Sequence, residues 1–104
     1  MADKSIDITP TFYKEDVSTV MPGTILLGNP SVLWTIVAAL ETSGVAVISF
    51  SDDATGYNVA HRVGKIVING PTTDWNGFGK GLNLTRGLSC ISSLASVDIW
   101  GVAE

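Results

Sequence analysis

Reactive and charged side chains are scarce in this sequence. Its 104 residues include one cysteine, one histidine and six lysines and arginines, against ten aspartates and glutamates. A single cysteine excludes an internal disulfide, so the fold does not depend on an oxidising compartment. A single histidine excludes a pair of imidazoles as metal ligands. The net charge of −4 argues against binding to the phosphates of nucleic acid.

Long apolar segments are also missing. Residues 1–10, MADKSIDITP, lack the apolar stretch of a secretion signal. The longest apolar stretch, VLWTIVAAL at residues 32–40, is interrupted by Thr35 and is too short to span a bilayer. A composition of 45% apolar and 15% charged residues is instead typical of a globular protein with its own core. The sequence therefore predicts one soluble domain, made in the cytoplasm, without contact to a membrane.

The sequence does contain short alternating apolar stretches separated by turn residues. Residues 32–40 fit both a helical period and a period of two, and their β-branched residues favour a strand. Further strands are predicted at residues 24–28, 45–51, 57–69, 82–85, 88–92 and 97–103. This spacing predicts an all-β protein, namely an antiparallel β-sandwich or jelly roll of about eight strands.

Turn residues mark the predicted connections. The sequence TSG at residues 42–44 predicts a tight turn, and DDATG at residues 52–56 predicts a loop whose side chains cap turns. Residues 69–81, NGPTTDWNGFGKG, predict a long loop because their two Asn-Gly pairs favour positive φ values. Gly64 predicts a bulge or bend in the strand around it.

The N-terminal part of the chain differs from the rest. Residues 1–22 are predicted to form an arm or an edge strand, and residues 23–104 the sandwich domain. Ile6 and Ile8 alternate with polar residues in the stretch SIDIT, which suits a strand that adds to an exposed sheet edge. Pro10 then ends the ladder. Ile6 and Ile8 are therefore interface candidates, and a first strand within the same sandwich remains the alternative.

No residue pattern points to catalysis, a cofactor or a metal ion. Cys90 lies in an apolar strand, where a buried structural thiol is favoured over a nucleophile paired with His61. Asp52, Asp53 and Asp74 are loop carboxylates without the spacing of a calcium-binding loop, so turn capping is their favoured role. The sequence predicts a protein that is not an enzyme.

The tryptophans are the remaining candidates for a contact site. Trp34 lies in an apolar strand and is predicted to be in the core, whereas Trp75 lies in a polar stretch and is the best candidate for an exposed contact. Trp100 alternates with Ile99, so an inward Ile99 places Trp100 on the surface, where an apolar patch marks an interface. The uncharged run of residues 17–40 also favours protein contact over stacking on a sugar.

Several segments of the second half of the chain form a recognisable succession of strands and turns, at residues 44–53, 81–84, 87–88 and 97–102. Over about the last 60 residues this succession resembles the small jelly-roll proteins that decorate or cement the capsids of tailed phages. The resemblance implies a non-enzymatic virion protein, made in the host cytoplasm, that binds the major capsid protein on an assembled head. It also implies a homotrimer.

A different class of function stays open at this point. A carbohydrate-binding or receptor-binding β-sandwich module would use Trp75 as its stacking platform. Fold alone does not decide between these functions.

Overall fold

The structure, a computed structural model, describes residues 10–104 and is all-β. These residues form six strands and one short 3-10 helix at Val59–His61. The strands are β1 Phe12–Lys14, β2 Thr24–Leu27, β3 Ser31–Ser51, β4 Arg62–Leu84, β5 Leu88–Ser92 and β6 Val97–Ala103. All pairings are antiparallel, so the predicted all-β, antiparallel class is confirmed. The predicted number of about eight strands is not confirmed, since residues 10–104 form six.

The two long strands, β3 and β4, connect the two halves of the sheet. They pair with each other from Ser31 and Leu84 to Ser51 and Arg62. On its other side, the first half of β3 pairs with β6 and the second half with β5. β6 pairs in turn with β1, and β5 with β2. The sheet thus has a first leaf, β1-β6-β3-β4, and a second leaf, β2-β5-β3-β4, which share the long strands and enclose the core.

The core is supplied by alternate residues of both leaves. In β3 the core residues at alternate positions are Ile36, Ala38, Leu40, Ala46, Ile48 and Phe50. β5 and β6 add Leu88, Cys90, Val97 and Ile99, none of which is exposed. The period of two is the expected result of burying one face of a strand. The strand predicted at residues 32–40 is therefore confirmed.

Two predicted connections are instead parts of the long strands. β3 continues through residues 42–44, where its pairing with β4 shifts between Leu40 and Gly44. Gly44 has a φ of 123°, a value that glycine adopts more readily than other residues. This backbone conformation allows the irregularity in β3, which lies where β3 passes from the first leaf to the second. Residues 69–81 likewise belong to β4. The turn and loop predictions were wrong because bulged strands use the same small residues as turns.

A strand irregularity also explains why the prediction for Trp34 was wrong. Trp34 is only half-buried, and its indole N–H donates to Oε1 of Glu104 at 3.2 Å. The register of β3 shifts between Leu33 and Thr35 against both neighbouring strands. Leu33 and Ile36 therefore both belong to the core, and Trp34 is displaced from the inward positions.

The prediction of an arm or edge strand covers residues 1–22, of which the structure describes residues 10–22. Ile6 and Ile8 lie outside the described residues. Pro10 is exposed, and β1 begins two residues later as the edge strand of the first leaf. Phe12 of β1 is buried in the core. Residues 12–14 therefore belong to the same sheet as the rest of the domain.

Candidate functional site

Three aromatic side chains lie in one row across the first leaf. Tyr13 of β1 pairs with Trp100 of β6. Val37 of β3 pairs with Trp100 on one side and with Trp75 of β4 on the other. Directly opposed residues of paired strands point to the same face of a sheet. Neighbouring strands lie about 4.8 Å apart, so this aromatic row (Tyr13, Trp100, Val37 and Trp75) spans about 14 Å.

The alternation along the strands shows that this is the outer face of the leaf. Ile36 and Ala38, on either side of Val37, belong to the core cluster, and so does Ile99 beside Trp100. Val37 does not belong to that cluster, yet none of its surface is exposed. We attribute its burial to the tryptophans of the two flanking strands. Trp100 thus lies outside, as its alternation with Ile99 predicts.

The rings of the row differ in exposure. Tyr13 is 48% exposed and Trp75 is 44% exposed, while Trp100 is half-buried between their strands. Tyr13 and Trp100 stack, with ring centroids 5.8 Å apart and an angle of 29° between the ring planes. This separation lies in the favourable range for aromatic pairs. Because each ring is attached to a hydrogen-bonded strand, the row is a preformed apolar surface.

Carboxylates border the aromatic row at one end of the first leaf. Asp98 lies two residues before Trp100 on β6, and its Oδ1 accepts the Asp16 backbone N–H at 2.9 Å. A side-chain hydrogen bond with Asp98, followed by its negative charge, raises the pKa of Glu41. Burial, followed by the charge of Asp98, raises the pKa of Tyr13. This border is therefore acidic and suits a partner surface with basic groups.

Asp52 stabilises the turn between β4 and β5. Its carboxylate accepts the Thr85 N–H at 2.9 Å, the Thr85 hydroxyl at 2.8 Å, the Arg86 N–H at 2.8 Å and the Gly87 N–H at 3.3 Å. Burial by itself raises the pKa of Asp52, but these hydrogen bonds outweigh it and lower the pKa to about 2. Turn capping is thus the role that the structure shows for this carboxylate.

Asp53 connects the following loop to its surroundings. Its Oδ2 lies 2.8 Å from Nδ1 of His61, the last residue of the 3-10 helix. Its backbone carbonyl accepts the hydroxyl of Ser89 in β5 at 2.8 Å. Across residues 10–104, no group of three or more histidine, cysteine, aspartate or glutamate side chains is arranged to hold a metal ion. The contacts of Asp53 thus connect its loop to the 3-10 helix and to β5.

The thiol of Cys90 is expected to be unreactive in the folded protein. Cys90 has no exposed surface, and burial raises the pKa of its thiol to about 12. The thiolate is the reactive form, and almost none is present at neutral pH with such a pKa. A thiol reagent at about pH 8 should label the denatured protein completely and the folded protein negligibly. Rapid labelling without denaturant would show that the thiol is accessible.

Comparison of the chain with protein-family models, curated proteins and solved structures finds no match. Within the described part of the chain, no helix has the length and apolar character needed to cross a membrane.

The structure brings together two candidates that the sequence identified separately. Trp75 and Trp100 lie in one row, and Tyr13, which was not predicted, extends it to the edge of the leaf. The sequence feature that could have identified Tyr13 as a surface residue is its position beside Phe12. If Phe12 points inward, its neighbour on the strand points outward. Its alignment with Trp100 depends on a pairing between the two ends of the chain.

Proposed function

We propose that this chain is a non-enzymatic capsid decoration or cement protein, which binds the outer surface of an assembled phage head through the aromatic row and stabilises the head. The aromatic row is the observation that carries the proposal. Tryptophan and tyrosine are enriched among the residues that dominate the binding energy of protein interfaces. The major capsid protein is the proposed partner because of the resemblance seen in residues 44–53 and 97–102.

The way the row is supported favours tight contact. Its members lie on four hydrogen-bonded strands, so binding a flat protein surface orders few groups and costs little conformational entropy. A capsid repeats the same binding surface many times. A trimeric decoration protein would engage several copies at once, and the resulting avidity would exceed the affinity of a single row. The proposal therefore places the row of each subunit against the shell.

Binding to heads assembled without this protein tests the proposal. We expect Trp75→Ala to raise the dissociation constant about 30-fold, as truncation of an interface hot spot does. Ile25→Ala is the matched control, because Ile25 is 42% exposed but lies on β2 in the second leaf. It should change binding less than about twofold. Cosedimentation with heads over a concentration series gives both values.

Two outcomes of the same experiment would contradict the proposal in different ways. Unchanged binding of Trp75→Ala would show that the row is not the contact surface. If the unaltered protein does not bind heads at all, the decoration function itself is wrong.

Recognition of a carbohydrate is the second candidate function. The exposed ring of Trp75, on an outer sheet face, is the observation that favours it. A glycan array should then show specific binding that is lost in Trp75→Ala, while head binding is absent in both proteins.

A further inference from the structure

Among residues 10–104, β4 has one paired edge and one open edge. Within residues 10–104 its only partner is β3, and no described strand pairs with its other side. Because β4 runs through both leaves, this open edge borders the whole sandwich on the side opposite β1 and β2. The unpaired backbone groups of an edge strand are a template for the addition of another strand.

The open edge lies beside a gap at the surface of the core, where Gly64 is exposed. Ile66 and Ile68 are buried, so Gly64 occupies the next inward position of β4. A Cβ atom at Gly64 would meet no atom within 4 Å. A cavity of about 120 Å³ opens here, and Phe50 and Phe78 contribute to its lining. The gap is apolar and has room for one aliphatic side chain from an added strand.

β4 carries several positive charges, although the protein is acidic. Arg62, Lys65 and Lys80 all lie in β4 and make up half of the six lysines and arginines of the chain. Lys65 lies between the inward positions of Gly64 and Ile66, and no residue among 10–104 forms an ion pair with it. A strand that fits this edge therefore has an acidic residue between two aliphatic ones.

Residues 5–9, SIDIT, have this pattern, with Asp7 between Ile6 and Ile8. When Asp7 lies opposite Lys65 in an antiparallel pair, Ile8 lies opposite Gly64, and Ile6 lies opposite Ile66. Both isoleucines then face the core side, and the two charges meet on the outer side.

The position of Thr11 bears on which copy of the chain residues 5–9 can pair with. The Thr11 N–H donates to the carbonyl of Gly101 at 2.8 Å, which places Thr11 beside β6 at the other edge of the first leaf. Three strand spacings, about 14 Å, separate that edge from the first-leaf half of β4, and Lys65 lies in the second-leaf half, opposite Ser49. Thr9 is two residues from Thr11, a span of at most about 7 Å. A strand that includes Thr9 can therefore pair with β4 only in another copy.

We propose that residues 5–9 of one subunit add as a strand to the open edge of β4 in a neighbouring subunit, where Ile8 fills the gap at Gly64. Each subunit donates one strand and accepts one, so the contact is heterologous. In a closed ring of copies, every donated strand and every β4 edge has a partner. A trimer is the smallest ring beyond a reciprocal dimer. This contact is independent of the proposed binding to a phage head.

A disulfide between full-length subunits tests the register directly. Cross-strand Cβ atoms lie about 4.5–5.5 Å apart, near the range that a disulfide bridges. Mild oxidation of Asp7→Cys/Lys65→Cys should give covalent oligomers on a non-reducing gel, and buried Cys90 does not compete. Asp7→Cys/Lys14→Cys is the matched control and should remain monomeric, because Lys14 lies at the other edge. A disulfide confined to monomers, or no disulfide with Lys65→Cys, overturns the proposal.

Sedimentation of charge-reversal variants gives a second, non-covalent test. Asp7→Lys and Lys65→Asp should each weaken the oligomer about fivefold, and the double variant should regain the lost affinity. Ile8→Ser should weaken it about 30-fold through the lost burial. Lys14→Asp makes the same charge change at the opposite edge and should leave association unchanged. A monomeric unaltered protein at tens of micromolar, or no recovery in the double variant, contradicts the exchange whatever the result with heads.

Discussion

An Asp52→Ala variant is expected to lose about 2–3 kcal/mol of unfolding free energy. The carboxylate accepts hydrogen bonds from three successive residues, Thr85, Arg86 and Gly87, at the turn that joins β4 to β5. Alanine has no side-chain acceptor, so all of these hydrogen bonds are lost together. The backbone N–H groups can then donate only to water. Urea denaturation at about pH 7 measures the difference.

Asp52→Asn is the matched control for the cap. It keeps the shape of the side chain and one acceptor oxygen, so we expect a smaller loss of about 1 kcal/mol. Equal stability of the alanine variant and the unaltered protein would show that the turn does not depend on this carboxylate.

The same carboxylate makes the stability of the protein sensitive to acid. Its pKa of about 2 in the folded state lies below the ordinary value of 3.8, so its contribution is complete above about pH 5. As the pH falls toward 2, the carboxylate is protonated and this stabilisation, about 1 kcal/mol after solvent screening, is lost. Asp52→Ala should therefore lose stability less steeply in this range. If the unfolding free energy of both proteins falls equally steeply with pH, the acid sensitivity is not due to Asp52.

The all-β class was predictable because it depends on local patterns. Ile48 and Phe50 alternate with small or polar residues, and Ile99 alternates with Trp100, so one face of each strand is recognisable before any pairing is known. Burial of that face is the dominant favourable term in folding. The inward position of Ile99 and the outward position of Trp100 follow from the same alternation.

The continuity of β3 and β4 was not predictable from local signals. Gly70, Pro71 and Gly77 are typical of loops, yet all three lie within β4. What keeps this stretch extended is its pairing with β3, where Val37 opposes Trp75 and Leu40 opposes Thr72. Such pairing is set by residues distant in sequence, and local propensity yields to it.

The candidate site was predictable only in its parts. Trp75 and Trp100 are visible in the sequence as aromatics outside the core pattern, but their common row requires both to oppose Val37. The register that produces this arrangement depends on bulges near Thr35 and Leu40. A shift of one residue in either strand would turn one tryptophan to the other face.

Gly101→Ala is expected to destabilise the protein by about 3 kcal/mol, at the upper end for overpacking. A Cβ atom at Gly101 would collide with the backbone carbonyl oxygen of Thr35 and lie 2.8 Å from Cζ of Phe12. The Thr35 oxygen belongs to β3 and has no rotamer by which to move away. The side chain of Phe12 must then leave its place, and β1 must shift with it. Thermal and urea denaturation measure the loss.

The same change should also disturb the aromatic row, because Tyr13 follows Phe12 on β1. We expect near-UV circular dichroism to show a weakened contact between Tyr13 and Trp100 under conditions where the variant is still folded. Gly79→Ala is the matched control, since a Cβ there meets no atom within 4 Å, and it should change stability by less than about 0.5 kcal/mol. If Gly101→Ala is as stable as Gly79→Ala, β1 is not packed against β6 as described. A destabilised variant with an unaltered aromatic signal would instead separate the packing of Phe12 from the position of Tyr13.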